Sequence, residues 1–293
     1  MFRYFVIRTK KVITVKKKVI VAVLAAVILC LTVWVIWSNE ALELNCYRIE
    51  NERLPKEFDG YRIAQVSDLH NAEIGKNNEK LLAMLKEADP DLIAITGDMI
   101  DSRRTDIDVA LQFAGEAVQI APCYYVTGNH EARVDDYEIF KAGLQEAGVT
   151  VLENSAVQIE RGGATITLIG VMDPAFPAHL PNADDKAIVQ FHLAPLVNHE
   201  NYTVLLSHRP ELFHVYVAHE IDLVLSGHVH GGQFRLPLLG GIFAPGQGFF
   251  PKYDAGFFAH NNSNMIVSRG IGNSIIPLRI NNRPELVLIE LQS

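Results

Sequence analysis

Residues 61–70 read YRIAQVSDLH and residues 91–100 read DLIAITGDMI; then come CYYVTGNHE (123–131), YTVLLSHRP (202–210) and IDLVLSGHVH (221–230). Each is an apolar, β-branched stretch that runs into side chains able to bind a cation or carry a proton. Strands of this composition are buried on both faces, as in a parallel sheet covered by helices. In open α/β sheets the ligand site lies just beyond the carboxyl ends of the strands. Five strand ends therefore bring Asp68-x-His70, Gly97-Asp98-x-x-Asp101, Gly128-Asn129-His130-Glu131, Ser207-His208 and Gly227-His228-x-His230 to one edge. That concentration of His, Asp and Asn points to a metal site.

Working outward, Asp68 and Asp98 are 30 residues apart and Asp98 and Asn129 are 31 apart. This is the length of a βα repeat, so three consecutive parallel strands are expected to deliver the first three motifs. The helices between them are expected over Asn77–Ala88, with Leu81, Leu82 and Leu85 on one face, over Asp106–Gln119, and over Asp136–Ala147, stopped by Gly148. Leu42–Ile49 reads as an opening strand. Further on, Val151–Glu160 and Ala164–Val171 read as a hairpin turning at Arg161-Gly162-Gly163. Residues 172–200 are loop-rich, with one short helix near Asp184–Phe191. A helix near Glu211–His219 separates the last two motif strands, and Met265–Arg269 and Glu285–Leu291 close the chain as strands.

The net charge of -8 hides two regions of opposite sign. Residues 1–18 carry seven basic groups and no acid, leaving 19 basic against all 34 acidic residues in the remainder. An acidic main body argues against a nucleic-acid partner, whose binding is driven by basic groups displacing counterions. Val19–Trp37 is an uncharged run of 19 residues without Pro or Gly. As a helix it spans roughly 28 Å, about one hydrocarbon core. The run exceeds the ~7–15 apolar residues of a signal peptide, and SNEALE after it is a poor cleavage site, so a retained anchor is the expectation over a cleaved signal. The positive-inside rule keeps the basic N-terminus in the cytoplasm and places everything after residue 38 outside. The expected organisation is a basic cytoplasmic tail (1–18), a transmembrane helix (19–37) and one extracytoplasmic catalytic domain (42–293). Three cysteines make no disulfide framework: Cys30 lies in the span, and Cys46 and Cys123 are expected to stay unpaired.

A pair of divalent metals needs a bridging carboxylate among imidazole and oxygen ligands. Such pairs sit ~3.5–4 Å apart and clamp the attacking and leaving oxygens of a phosphoryl displacement, and coordination lowers the pKa of water from 15.7 to ~7. A hydroxide bridging two metals is then the nucleophile, and no Ser, Cys or His nucleophile is needed. The five segments supply seven suitable ligands. Together these motifs resemble the calcineurin-like metallophosphoesterase superfamily, over about residues 60–290. The run GHVHGGQFRLPLLGGIFAPGQG with SRGIGNS after it is similar to a bacterial membrane-associated phosphodiesterase branch, some of whose members act on nucleotide-sugar lipids of the UDP-2,3-diacylglucosamine kind.

The resemblance implies an α/β fold, a four-layer α/β/β/α sandwich of two mixed sheets with helices outside, preceded by the transmembrane helix. It implies that Asp68, His70 and His230 hold one metal, Asn129, His208 and His228 the other, and Asp98 bridges them. His130 is implied as the residue beside the scissile phosphate, donating to a phosphoryl oxygen or protonating the leaving alkoxide, with Asp101 hydrogen-bonded to it and orienting it. The ligand set suits Mn, Fe, Zn or Ni alike. The expected activity is hydrolysis of a phosphodiester or pyrophosphate, on a lipid or cell-envelope substrate. A broad phosphomonoesterase of soluble phosphates is the alternative, and a membrane-tethered protein that uses metals only to hold its shape is the rival.

His179, His192, His199, His214, His219 and His260 lack partner spacing and read as surface or structural residues. Arg209 and Arg269 are each open to two readings, a phosphate contact or a solvated side chain. Residues 232–258, rich in Gly, Pro and Phe, read either as a long loop packed on the second sheet or as an apolar rim that faces a membrane or receives an acyl chain.

Overall fold

A computed structural model describes the backbone of residues 2–177, 180, 182–273 and 277–293, with side chains from Lys16 onward. A first helix, α1 (Phe2–Glu40), leads into β1 (Glu43–Glu50) and β2 (Arg62–Val66). Then α2 (Glu79–Ala88), β3 (Leu92–Thr96), α3 (Ile107–Ala117), β4 (Cys123–Val126), α4 (Tyr137–Glu146) and β5 (Thr150–Val151) complete an alternating half. The second half holds β6 (Ser155–Arg161), β7 (Ala164–Gly170), α5 (Asp185–Leu193), β8 (Thr203–Leu206), α6 (Phe213–Ala218) and β9 (Leu223–Ser226). Four two-residue strands follow as two hairpins: β10 (Arg235–Leu236) with β11 (Gly240–Gly241), and β12 (Phe243–Ala244) with β13 (Gly248–Phe249). The chain ends with β14 (Gly256–His260), β15 (Ser263–Val267) and β16 (Glu285–Gln292).

Two six-stranded mixed sheets result, ordered β1-β16-β2-β3-β4-β5 and β14-β15-β9-β8-β7-β6. Alternating side chains sort the strands' apolar residues into three cores, which makes four layers. Leu92, Ala94 and Val126 face Val204, Leu206 and Leu223 between the sheets. Ile93 and Ile95, one residue out of phase, face Leu81 of α2, Phe113 of α3 and Phe140 of α4. Leu205 and Val224 likewise turn outward onto Val189 of α5 and Phe213 of α6. The expected α/β/β/α sandwich is the observed one, and β2, β3 and β4 are parallel neighbours as the motif spacing required.

One expectation about an element changes. Val151–Glu160 is not one strand. Thr150–Val151 extends the first sheet beside β4, and Ser155–Arg161 is the edge of the second. Between them Asn154 takes a left-handed φ of 48°, which carries the chain from one sheet to the other. α1 continues through both the basic stretch and the apolar run; Lys and Arg are good helix formers, so nothing breaks it. Lys16–Glu40 is long and apolar enough to cross a membrane.

Register fixes where α1 joins. Glu43 at the start of β1 pairs with Glu285 at the start of β16, which runs antiparallel to β2 so that Val287 faces Gln65. The end of α1 and the carboxyl ends of β2, β3 and β4 therefore share one edge of the sheet.

Candidate metal centre

Asp68, Asp98, His208 and His228 each sit two residues past a strand end, after β2, β3, β8 and β9, and Asn129 sits three past β4. The first sheet supplies Asp68, His70, Asp98 and Asn129; the second supplies His208, His228 and His230. All seven are buried. Asp68, His70, Asp98, His228 and His230 take left-handed backbone angles, with φ of 52°, 47°, 52°, 73° and 46°. Such conformations are unfavourable for non-glycine residues and persist where surrounding bonds over-determine them, as at ligand sites. Here Asp68 N donates to Gly97 O at 3.0 Å and His70 N to Asp98 O at 3.0 Å.

The donor atoms fall into two groups with one shared member. Asp68, His70, Asp98 and His230 each offer an atom within 4.8 Å of the others, and so do Asp98, His208 and His228. The Nε2 atoms of His70 and His230 face each other at 3.0 Å, and His230 Nε2 is 3.3 Å from Asp68 Oδ1. On the other side His208 Nε2 is 3.1 Å from Asp98 Oδ2, while its Nδ1 donates to Thr96 O at 2.7 Å. That bond turns Nε2 inward, as ligating histidines require. Asn129 Oδ1 is buried without a hydrogen-bond partner among the described residues. Nitrogen lone pairs, carboxylates and an orphaned amide oxygen converge without enough donors between them. A set of this kind fits divalent cations.

The charge states of three of the four histidines agree. Burial lowers His70 to about 3 and holds His228 and His230 well below the usual histidine range, so these imidazoles are neutral and free to bind a cation. Against burial, the Asp98 carboxylate raises His208 to about 10. Burial raises Asp68 to about 6. Burial acts on Asp98 in the same sense, but His208 and His70 outweigh it and keep that carboxyl well below the carboxylate range.

His130 lies at the rim, its ring edge-on to His70 at 4.5 Å between centroids. The expected hydrogen bond between His130 and the accepting Asp101 carboxylate is not made: Asp101 Oδ1 is 3.6 Å from His130 Nδ1, and the Asp101 carboxylate is taken by Arg103 at 3.1 and 2.9 Å. Instead the backbone N–H of Ser102 donates to Nδ1 at 3.1 Å. A ring nitrogen that accepts carries no proton, so in the neutral ring the hydrogen sits on Nε2. Burial lowers the His130 pKa, against the pull of Asp98 and Asp101, which favours that neutral form.

Three residues here had no role assigned from sequence. Glu131 is fully buried and accepts the N–H groups of Gly128 (2.8 Å), Asp98 (3.0 Å), Met99 (2.8 Å) and Ile100 (3.3 Å). It therefore stitches the β3 and β4 loops together; burial, reinforced by Asp98, pushes it up to about 8. Asp173 follows β7 by three residues, at a sixth strand end whose position could have flagged it. It holds Arg209 in a two-pronged ion pair, and Arg209 Nη1 lies 3.3 Å from His228 Nε2. Arg209 is thus ion-paired and mostly shielded, not solvated. Arg279 is buried, with burial lowering it to about 10, and its guanidinium donates to Asn273 Oδ1 and the carbonyls of Arg269 and Gly272. Arg269 is engaged by Glu285 and Glu43. Of the discounted histidines, His179 lies outside the described residues, and the other five are outside both donor groups. Cys30, Cys46 and Cys123 are free.

This fold, with two donor groups sharing Asp98 at the sheet edge, defines a metal-dependent phosphatase architecture. The chain belongs to the calcineurin-like phosphoesterase family, whose profile matches residues 61–232. Among curated relatives, the phosphodiesterase YaeI of Escherichia coli (strain K12) is 30% identical over 250 residues, 79% of this chain and 82% of the relative. The uncharacterized metallophosphoesterase YkuE of Bacillus subtilis (strain 168) is 28% identical over 258 residues, 86% of each chain. A transmembrane protein with metallophosphoesterase domain from Danio rerio is 30% identical over 255 residues, 82% of this chain but 55% of that longer protein. Among solved structures, TT1561 of Thermus thermophilus superposes with a TM-score of 0.50 at 14% identity, over 72% of this chain and 90% of the other. That last likeness is one of fold. The protein is a metal-dependent phosphoester hydrolase by family.

Proposed function

We propose that this protein hydrolyses a phosphodiester or pyrophosphate of a lipid or cell-envelope precursor at the outer face of the cytoplasmic membrane, with two divalent metal ions. Asp68, His70 and His230 would hold the first, Asn129, His208 and His228 the second, and Asp98 would be common to both. The observation that carries this reading is Asp98's membership of both donor groups. Bound there, a metal pair supplies a water ionised near neutral pH and a positive field for the phosphoryl oxygens.

The chain's own residues do the rest. His130, with Nδ1 accepting from Ser102, presents Nε2–H as a hydrogen-bond donor. A neutral imidazole gives up that proton poorly at neutral pH, so of the two implied roles, donation to a phosphoryl oxygen is the one this tautomer supports. A fixed donor aimed at developing charge in a dry site is an effective catalytic device. Ser102 positions His130, and the Arg103 guanidinium, paired with Asp101, itself opposes positive charge on the ring. The basic N-terminal stretch supports a cytoplasmic N-terminus, and α1 meeting the sheets at the metal-bearing edge supports a membrane-borne substrate.

The test uses the full chain in detergent, stripped and reloaded with Mn, Zn or Fe, on bis-p-nitrophenyl phosphate and p-nitrophenyl phosphate, with Asp98→Ala as control. Metal-dependent diester cleavage, lost in Asp98→Ala, is expected. Turnover of the monoester alone would replace the diester reading, and activity untouched by Asp98→Ala would overturn the bridged site.

A further inference from the structure

We infer that the two hairpins following His230 are a bilayer-contact surface, with the turn at Leu236–Leu239 and the pair Phe249–Phe250 seated in the phospholipid boundary beside α1. Among the described residues outside α1, ten large apolar side chains are exposed, and seven of them fall between residues 236 and 257. Leu238 is fully exposed, Phe249 73% and Phe250 61% exposed. The sequence alternative, a loop packed on the second sheet, describes only the inner half of this segment. Tyr253 and Phe258 pack edge-on with each other, and Tyr253 on Phe213, while Phe243 and Phe249 pair outside that core. A clustered apolar patch on an otherwise acidic domain marks an interaction site.

A chain of bonds ties this surface to α1. Arg279 N donates to Asn39 Oδ1 at 2.7 Å and Asn39 Nδ2 donates to Arg279 O at 2.9 Å, so the end of α1 is clamped to the 278–281 segment. The neighbouring Ile280 bridges Phe234 and accepts from Arg235 N at 3.0 Å. Arg235 opens the hairpin that turns at Leu236–Leu239. Arg283 reinforces the joint, capping Ala41 O and Leu42 O at 2.8 Å each and lying over the Trp37 ring. From the helix end to the hairpin this bonded path passes only through Asn39, Arg279, Ile280 and Arg235. The occupant is therefore the phospholipid bilayer that α1 enters, reached by continuity with the helix itself. Apolar side chains so placed sit about 5–10 Å into the headgroup–acyl boundary. The metal-bearing edge is then held against the membrane, and a headgroup phosphate is the substrate geometry it favours.

This inference rests on α1 spanning the bilayer, which is part of the proposed function, so the experiment reads the two separately. The full chain is reconstituted in phosphatidylcholine–phosphatidylglycerol nanodiscs with single cysteines bearing an environment-sensitive fluorophore. The sites are native Cys30, Leu238→Cys, Phe250→Cys, and Glu50→Cys at the far end of β1. Quenching by spin-labelled phospholipid is measured at each. Labels at 30, 238 and 250 are expected to be quenched and blue-shifted, and the label at 50 to match that of protein in water. If 30 is quenched while 238 and 250 behave like 50, the hairpins do not touch the bilayer and the inference falls, leaving the anchor intact. If 30 is unquenched, the anchor and the inference fall together. As a second arm, Phe249→Ser with Phe250→Ser is expected to reduce quenching at 238 while bis-p-nitrophenyl phosphate turnover stays as before; undiminished quenching would remove the phenylalanines from the contact.

Discussion

At the scale of single residues, Glu131 has the most bonds to lose. Its fully buried carboxylate is the shared acceptor for four backbone N–H groups from two loops. Truncation leaves those donors buried and unpaired, at about 1–3 kcal/mol for each such group. Glu131→Ala is therefore expected to destabilise the domain by about 3 kcal/mol or more, read as a lower melting temperature together with lost metal content. A melt within a degree of the parent would show that the loops hold themselves. His130 is the opposite case, a residue proposed to touch substrate through a side chain that holds little structure. His130→Ala is expected to keep its metals and its melting temperature while kcat falls by about 10²-fold or more. Ser102→Ala keeps the backbone N–H that carries the Nδ1 bond, so its kcat should stay close to the parent's. A large kcat loss in Ser102→Ala would move the positioning role to the Ser102 hydroxyl, whose Oγ is 3.2 Å from Nδ1.

At the scale of elements, the strand-to-loop junctions work only because glycines leave room. A Cβ on Gly227 would overlap Ser67 Oγ and Asp68 Oδ2, and one on Gly128 would overlap Asp98 Oδ1. The closing of two loops over each carboxylate thus requires a bare backbone, whatever its φ. Gly227→Ala is expected to displace Asp68 and lower metal occupancy without removing any ligand; elemental analysis of the purified variant checks it, and full occupancy would mean Asp68 has slack. These junctions were legible in the sequence because buried parallel strands are continuous apolar runs, and each run here stops where the polar motif begins. The helices were legible to within a few residues because apolar residues recur at helical spacing on one face of each, as Leu81 and Leu85 do in α2 and Phe140 and Leu144 do in α4. The crossing at Leu152–Asn154 was not legible, because apolar residues on both sides read as a single run. Strand β14 was hidden in a Phe-rich stretch, although Asn261-Asn262 before Ser263–Val267 is a hairpin signal. Ser102 in place of Asp101, and Arg209 held by Asp173, depend on distances across 28 and 36 residues of chain, which spacing does not encode.

At the scale of the whole molecule, the metal donors come from both sheets, and at this edge they are among the few polar groups that join them. Gln65 is another: its Nε2 donates to Thr96 Oγ1 on its own sheet and to Ser226 O on the other. Below that level the core between the sheets is built of apolar side chains. Cations shared by Asp68, Asp98, His208, His228 and His230 would cross-link the two halves of the sandwich at this edge. Only the folded chain assembles that donor set, so metal binding adds to folding stability by mass action. With free metal 1,000-fold above its dissociation constant, the gain is about 4 kcal/mol. A domain of this size shifts by roughly 2–4 °C per kcal/mol, so chelation should lower the melting temperature by roughly 8–16 °C. Asp98→Ala loses the carboxylate common to both groups, and its chelator-induced shift should be far smaller than the parent's. The comparison is made by thermal melts of the full chain in detergent, with and without chelator. Equal melts for stripped and loaded parent, with metal measured in the loaded sample, would mean the sheets are already locked without it. The left-handed angles at Asp68, His70, Asp98, His228 and His230 would then be held by backbone bonds such as Asp68 N to Gly97 O, and the site would be preorganised by the fold alone.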